Sequence, residues 1–244
     1  MPDPQAQPTD VEVRVLRAGS ITPEDHGAIF EVFDASYRQA NHEYLQRSID
    51  RIGLLALGTI EGRAVAYAIS HSRWMDLPGF DEPQLVALHG MRCVLPEYRH
   101  RGINGRLTGA LAAAMKSELE AIRRKHARQL SCGRHGHASG TGAAPAAATS
   151  SQRTVPLPGQ RPTPWQQAVG LAVADAFGST LDPETFVCVG SGTPIGYPNE
   201  EFEPTEAERQ VYAPVDRDRG DNLLVISWSP DAPPGWDDPD HRSS

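Results

Sequence analysis

The chain has 244 residues, of which 39% are hydrophobic, and its formal net charge is −8. This composition predicts one sizeable core, and the longest apolar runs are too short to span a bilayer, so we expect no membrane association. Three cysteines, Cys93, Cys132 and Cys188, are odd in number and form no Cys-x-x-Cys pair, which argues against a disulfide framework or a zinc site. Since no zinc pattern is present, we expect no metal. The polar N-terminus lacks the apolar centre of a signal peptide, so we expect a cytoplasmic protein.

Charge is unevenly distributed along the chain. Residues 199–244 carry 12 acidic and 4 basic side chains, whereas residues 92–134 carry 10 basic and 3 acidic ones. A local basic zone favours an anionic ligand, while nucleic-acid binding would favour a basic excess along the whole chain, so we expect no nucleic-acid partner. The alternative for the basic residues of 123–128 is that they only solvate and complement the exposed end of a helix.

Hydrophobic periodicity predicts the elements of the first half in chain order. Alternation predicts strands, and Thr22 followed by Pro23 is a helix start because the hydroxyl caps and proline suits the first turn. Two apolar runs joined by Glu61, Gly62 and Arg63 predict an antiparallel hairpin. The expected elements are a strand over 11–16, a helix from Pro23, a shorter helix near 42–52, hairpin strands over 53–60 and 64–70, a strand over 84–95 and a long helix over about 104–127.

The second half predicts an interrupted domain. A short strand is expected near 129–133, and the Gly, Ala, Ser, Thr and Pro-rich composition that follows predicts a flexible insertion at about 133–162. Thr163, Pro164 and Gln166 form a capping signature for a helix that ends at Gly178. Further expectations are strands over 185–189 and 222–228, an acidic loop between them, one domain over 11–229, and disordered tails at 1–10 and 230–244.

The stretch PEYRHRGING, residues 96–105, lies between the predicted fourth strand and the long helix. Unpaired N–H groups and the dipole at a helix N-terminus favour a phosphate group. Gly102 and Gly105 would let the main chain approach it closely, and Arg99 and Arg101 would add charge-assisted hydrogen bonds. The stretch therefore predicts a phosphate-binding turn, with an ordinary charged loop as the alternative.

The order of elements and this stretch together resemble the GNAT superfamily of acyl-CoA-dependent N-acyltransferases. The family signature is Gln or Arg, two residues, Gly, one residue, then Gly or Ala. The matching residues here are Arg99, His100, Arg101, Gly102, Ile103 and Asn104. Only Asn104 departs from the signature, and Gly105 stands next to it. The resemblance covers about residues 11–128.

The resemblance implies an α/β fold with a mixed, mostly antiparallel sheet that is flanked by helices and opens after the fourth strand. Acetyl-CoA or another acyl-CoA would lie in the opening, with its pantetheine against backbone groups near Arg92, Cys93 and Val94 and its pyrophosphate over residues 99–105. The acyl group would pass directly to the amine of a small molecule or peptide through a tetrahedral intermediate. The resemblance is also compatible with a homodimer.

The resemblance also guides the choice of catalytic groups. A backbone N–H near Arg92 matches the family's oxyanion donor, and His89 is the leading candidate for the base because imidazole titrates near neutral pH. A regular strand would put Leu88 or Gly90 on the usual face, so only a bulge at Gly90 would turn His89 toward the opening. The alternative is that His89 is simply a hydrogen-bonded strand residue.

The general acid is not evident from the sequence. Many family members have a tyrosine four residues before a glycine at the end of the following helix, and Ala174 stands at that position before Gly178. Tyr197 is our candidate acid, with Tyr212 and water as alternatives. The missing tyrosine also leaves open a module that binds acyl-CoA as a sensor or scaffold without catalysis.

Two further points concern ligands. Cys132, His135 and His137 are close in sequence, but their spacing fits no zinc pattern, and no phosphate-loop string of the Gly-x4-Gly-Lys-Ser/Thr type occurs. The loop at 71–83 and the acidic segment at 199–208 are expected to border the acceptor site, which would favour a cationic amine.

Overall fold

The computed structural model describes residues 10–37, 40–99, 101–115, 128–136, 154–190, 203–229 and 231–240. Within these ranges one nine-stranded sheet is flanked by five helices. The strands are β1 Glu12–Arg17, β2 Leu54–Ile60, β3 Arg63–Met75, β4 Gln84–Val94, β5 Gln129–His135, β6 Thr154–Val155, β7 Thr180–Asp182, β8 Val187–Val189 and β9 Asn222–Ser229. The helices are α1 Pro23–Ser36, α2 His42–Ile52, α3 Ile103–Ala114, α4 Pro164–Phe177 and α5 Glu206–Tyr212.

The sheet is mixed and mostly antiparallel, as predicted. Its strand order is β1-β2-β3-β4-β5-β9-β8-β7, and β6 also pairs with β9. Among the described strands every pairing is antiparallel except that of β4 with β5, which is parallel. The parallel pair requires a crossover, and the chain makes this crossover through α3. In the described part of the chain, no helix has the length and apolar character needed to cross a membrane.

Local sequence explains where the helices begin. At α1 the Thr22 hydroxyl accepts a hydrogen bond from the Asp25 N–H, and the Asp25 carboxylate accepts from the Thr22 N–H. The same reciprocal box joins Thr163 and Gln166 at α4. These boxes satisfy N–H groups that a helix start would otherwise leave unpaired. Helix α4 ends at Gly178, whose φ of 67° is the left-handed conformation that glycine adopts most easily.

Helix α3 covers one face of the sheet, and α1, α2 and α4 cover the other. The Leu107 side chain of α3 lies against Gly58 of β2, where an added Cβ would be only 3.3 Å from it. On the opposite face, Tyr44 of α2 and Phe177 of α4 both stack on Arg134 of β5. The two faces matter for the site because neighbouring residues of β4 and β5 point to different helices.

One predicted loop contains a helix. The acidic segment between β8 and β9 includes α5, which is preceded by a capping box in which the Thr205 hydroxyl and the Glu208 carboxylate each accept a backbone N–H. The Thr-x-x-Glu string at 205–208 is the sequence signature of that box. The prediction of a loop was therefore wrong over Glu206–Tyr212, while residues 191–202 lie outside the described residues.

The C-terminal segment differs from the expected disordered tail. Trp236 is only 1% exposed and packs edge-on against Trp165 and Trp228, with ring centroids 5.5 and 5.6 Å apart. The Gln166 side chain donates a hydrogen bond of 3.0 Å to the Trp236 carbonyl. Trp236 therefore completes the core beside α4 and ties the C-terminal segment to it.

The expected insertion is shorter at both ends than the sequence indicated. Strand β5 extends to His135, and β6 pairs with β9 through Thr154 and Val155. Residues 137–153, the remainder of the expected insertion, lie outside the described residues, as do residues 1–9 and residues 116–127 of the predicted long helix. The assignment of one domain and of a disordered N-terminal tail remains a prediction.

We expect Trp236→Ala to lower the free energy of unfolding by about 3–5 kcal/mol, because it removes a fully buried aromatic ring and leaves a cavity. Trp74→Ala is the matched control, since Trp74 is 38% exposed, and it should cost clearly less. Urea unfolding followed by circular dichroism measures both values. Equal, small losses in the two variants would show that the C-terminal segment does not contribute to the core.

Candidate functional site

The sheet opens between β4 and β5. Pairing runs in register from Leu85 opposite Gln129 to His89 opposite Gly133 and then stops. Strand β4 continues to Val94 and remains paired with β3, but over its last five residues no described strand lies on the β5 side. This leaves a gap between the two strands, and one wall of this cleft is the backbone edge of β4 that no described strand pairs.

A β-bulge lies where the cleft begins. In the β3–β4 ladder Ala68 is opposite Arg92 and Ser70 is opposite His89. The two paired positions are therefore three residues apart on β4 but two residues apart on β3. The extra residue falls at Gly90 and Met91, and the predicted bulge at Gly90 is therefore present. It places His89 on the same face as Arg92, whereas an unbulged strand would turn the two side chains to opposite faces.

His89 is bridged between the neighbouring strands. Its Nδ1 is 3.0 Å from the Ser70 hydroxyl of β3, and its Nε2 is 3.0 Å from the Ser131 hydroxyl of β5. Burial, assisted by the nearby positive charge of Arg92, lowers the pKa of His89 from 6.5 to about 4. The imidazole is therefore neutral at pH 7, donates from one ring nitrogen and accepts at the other. The two serines were missed from sequence, since only the strand register brings them to His89.

The backbone edge of β4 carries hydrogen-bonding groups that point into the cleft. The Leu95 N–H donates to the Val65 carbonyl at 2.9 Å, which sets the alternation of the ladder. The N–H and C=O groups of Val94, and of Arg92 two residues earlier, consequently point away from β3. The Arg99 Nε donates to the Val94 carbonyl at 3.2 Å, so the loop is tied to this edge.

Cys93 lies between these two residues but belongs to the core. Its thiol is buried and donates to the Tyr67 hydroxyl at 3.2 Å, on the face covered by α1. Burial raises the pKa of the Cys93 thiol to about 11. A protonated thiol without access to the cleft is not a nucleophile, so only the backbone of Cys93 belongs to the candidate site.

The loop after β4 turns directly into α3. A 3₁₀ turn over Pro96–Tyr98 follows the strand, and Gly102 then adopts a φ of 72°, which only glycine adopts without strain. No side chain caps α3, and its first turn contains no acidic residue. Asn104 and Gly105 are exposed in that turn, and a Cβ at Gly105 would have no other atom within 4 Å. The first turn of α3 is thus open to a ligand, and Gly102 stands at the N-cap position.

Two arginines stabilise this loop, and the buried Ile103 side chain anchors it to the core. The Arg101 Nη2 donates to the Glu97 carbonyl at 2.7 Å, and its guanidinium lies 5.3 Å from the centre of the Tyr98 ring. Together with the bond from Arg99 to β4, this places two positive charges next to the start of α3. His100 lies outside the described residues.

The acid candidates are not brought to the cleft by any described contact. Ala174, at the family's tyrosine position, is 1% exposed and belongs to the core. Tyr197 lies outside the described residues, and Tyr212 is the last residue of α5. As for metal ligands, Cys132 and His135 point to opposite faces of β5, His137 lies outside the described residues, and no metal-binding group of three ligands occurs among those described.

We expect the stability of the protein to fall as the pH is lowered from 6.5 to 4, because in this window unfolded chains bind a proton at His89 that folded chains do not. The loss attributable to His89 is at most about 3 kcal/mol. In His89→Gln, which retains hydrogen bonding but not the titration, unfolding free energies measured from pH 7 to pH 4 should decline correspondingly less. An NMR titration of the His89 ring with a midpoint at 6.5 or above would contradict the burial argument.

Known proteins were compared with the chain by sequence and by structure. No protein-family model matches the chain, and no curated protein matches it. Solved structures do match. An aminoglycoside N-acetyltransferase in complex with CoA is 14% identical, with a TM-score of 0.34 and coverage of 45% of this chain and 72% of that chain.

Two further solved structures are similar over the same share of the chain. A ribosomal-protein-alanine N-acetyltransferase from Brucella melitensis biovar Abortus 2308 is 22% identical, with 44% of this chain and 73% of that chain covered and a TM-score of 0.32. A GNAT family acetyltransferase from Streptococcus pneumoniae TIGR4 is 16% identical, with 44% and 69% covered and a TM-score of 0.32. In its own element order and in its mixed sheet that opens after the fourth strand, the chain has the GNAT-like fold that the resemblance implied.

Proposed function

We propose that this protein is an N-acyltransferase that moves an acyl group, in the first instance acetyl, from acyl-CoA directly to an amine. One observation carries the proposal: over its last five residues β4 has no described strand on the β5 side, and the loop that follows leads to a helix N-terminus without a side-chain cap, next to Arg99 and Arg101. A strand edge and a phosphate cradle in this order suit a ligand that has an amide-bearing arm and a pyrophosphate.

The two parts of the cleft match two chemistries of acyl-CoA. The pantetheine arm contains secondary amides, which can pair with the N–H and C=O groups that Arg92 and Val94 turn into the cleft. The pyrophosphate suits the N–H groups of the first turn of α3, where Gly102 and Gly105 leave space. Arg99 and Arg101 would strengthen that binding by charge-assisted hydrogen bonds, and His100 is proposed to contribute from the same loop.

The transfer step requires a donor for the developing oxyanion and a base for the amine. We assign the donor role to the Arg92 N–H, which points into the cleft. We assign the base role to His89, at the start of the cleft. With a pKa of about 4, His89 is a weak base at neutral pH, so we propose that it acts when a substrate displaces one serine and a positive amine releases its proton toward the ring.

The proton for the departing thiolate is proposed to come from Tyr197, with Tyr212 or water as the alternatives. The acceptor is proposed to be a small-molecule or peptide amine, held in the part of the cleft beyond Val94. The expected cytoplasmic location, the absence of a nucleic-acid partner and the homodimer remain predictions.

A second candidate function is acyl-CoA binding without catalysis. It is favoured by two observations, the pKa of His89 near 4 and the alanine at position 174, where the family often has a tyrosine. Both features reduce proton transfer and leave the coenzyme-binding cleft unchanged. This candidate shares the cleft with the first and differs only in turnover.

We expect the double variant Arg99→Glu/Arg101→Glu to weaken CoA binding by more than about tenfold, because it replaces charged hydrogen bonds to phosphate by repulsion. Arg161→Glu/Arg209→Glu makes the same charge change at two exposed arginines outside the loop and should bind CoA like the parent protein. Isothermal titration calorimetry with CoA measures both. Unchanged affinity in the folded loop variant would remove the assignment of the phosphate site.

We expect sustained release of free thiol from acetyl-CoA when amines are supplied, and His89→Ala should lower kcat by about a hundredfold, the usual contribution of a general base. Ser70→Ala and Ser131→Ala serve as comparison variants, because each removes one hydrogen bond of the ring and leaves its basic nitrogen. A thiol-release assay over pH 6–9 gives the rates. Saturable CoA binding with no turnover for any amine would instead support the sensor.

A further inference from the structure

A second pocket lies on the opposite face of the sheet from α3. It has a volume of about 130 Å³ and is enclosed by α2, the end of α4, β5 and β8. Its polar lining residues are Arg47, Arg134, Ser48, Ser179, Thr180 and Asn222. Among the described residues that line it, two are arginines and none is acidic. Nothing in the acyl-CoA cleft uses these side chains, and the sequence patterns did not single them out.

Arg134 forms the wall of this pocket next to β5. Its guanidinium lies between two aromatic rings, 4.9 Å from the centre of Tyr44 and 4.6 Å from the centre of Phe177. Its Nη1 donates to the Ser179 hydroxyl at 2.6 Å, while its Nε is buried and has no hydrogen-bond partner. A fixed guanidinium with an unused donor is prepared to bind an anion, because its position has already been determined by packing.

A second arginine lines the pocket, and a third lies against one of its lining residues. Arg47 lines it from α2, and Arg51, one helical turn later, lies over Gly178 so closely that a Cβ at this glycine would collide with its guanidinium. Among the described residues none of these three arginines forms an ion pair. The nearby carboxylate of Asp221 is bound by Arg219. The pocket therefore carries a concentrated positive charge that no carboxylate of the described chain neutralises.

We propose that this pocket binds a carboxylate and that, given the acyltransferase function proposed above, the carboxylate belongs to the acceptor. The acceptor would then be an amino acid or another compound that carries both an amine and a carboxylate. Guanidinium groups bind carboxylates through paired hydrogen bonds, and the hydroxyls of Ser179 and Thr180 supply further donors.

Strand β5 connects the pocket with the cleft. Gly133 is the last residue of β5 that pairs with β4, where it is opposite His89, and Arg134 is the next residue. Adjacent strand residues are about 3.3 Å apart along the strand, so the pocket begins one residue beyond the point where the cleft opens. An acceptor whose carboxylate lies on Arg134 would extend its amine toward the gap between β4 and β5.

The proposal is tested by NMR of the full-length protein with ¹⁵N-labelled arginine, in which the Arg134 Nε–H signal is assigned by its loss in Arg134→Gln. The probes are glycine, β-alanine and 4-aminobutanoate, each compared with its carboxamide, and inorganic phosphate, all at constant ionic strength. We expect saturable shifts of this signal with at least one amino acid and none with the matching carboxamide.

The double variant Arg47→Gln/Arg51→Gln changes two exposed arginines and leaves Arg134 intact. It should raise the Kd for the bound amino acid by about tenfold. Arg161→Gln/Arg209→Gln is the control with the same charge change and should leave that Kd unaltered. If the pocket variants lowered only the melting temperature and left the Kd unchanged, the arginines would serve the C-terminal end of α4 and the proposal would be wrong.

Other outcomes also decide the matter. Equal shifts with acids and carboxamides, or tighter binding of phosphate than of every carboxylate, would overturn the carboxylate assignment. In the thiol-release assay, Arg47→Gln/Arg51→Gln should lower kcat/KM about tenfold for amino acids and leave that for their carboxamides unchanged. If the parent protein binds CoA and the pocket variants turn over amino acids at the parent rate, this inference alone is overturned. Absence of CoA binding would overturn the proposed function whatever the arginine signals show.

Discussion

The end of the β4–β5 pairing is the constraint on which the rest of the structure depends. Up to His89 and Gly133 the two strands satisfy each other's backbone groups, and beyond that point β3 is the one partner of β4 among the described strands. Backbone N–H and C=O groups that leave a ladder need other partners. The bulge at Gly90 and Met91 twists β4 at this place, and the Arg99 side chain satisfies one of its carbonyls. The remaining edge is available to a ligand that pairs as a strand does.

The junction also determines the character of His89. A histidine at the end of the cleft would be a better base if it were more exposed, but here it connects β3, β4 and β5 through Ser70 and Ser131. Burial favours the neutral ring and lowers the pKa. The same contacts that hold the three strands together just before they separate thus make the ring a weaker base. For the catalytic role proposed above, the structural and catalytic demands on His89 would oppose each other, and substrate binding would have to change its surroundings.

The sequence predicts the features that are determined locally. The caps at Thr22 and Thr163 and the turn at Gly102 depend on residues within a few positions of each other, and their spacing is visible in the chain. Trp236 is buried against Trp165, which is more than 70 residues away in the sequence. Composition does not reveal such a contact, so it predicted a disordered tail. The serines at His89 and the pocket at Arg134 likewise depend on register and on packing between distant elements, which no local pattern encodes.

Arg134 explains how the end of β5 is held away from β4. Where two strands separate, their facing backbone groups lose partners, and further pairing would close the gap. The guanidinium of Arg134 is held between Tyr44 of α2 and Phe177 of α4 and bonded to Ser179, so the end of β5 is bound to the helices on one face. On its other side β5 is paired with β9 along its whole length. Since these contacts oppose any shift of β5 toward β4, they keep the two strands apart beyond His89 and Gly133. A gap held open by packing would spare the acyl-CoA proposed above the free-energy cost of opening it.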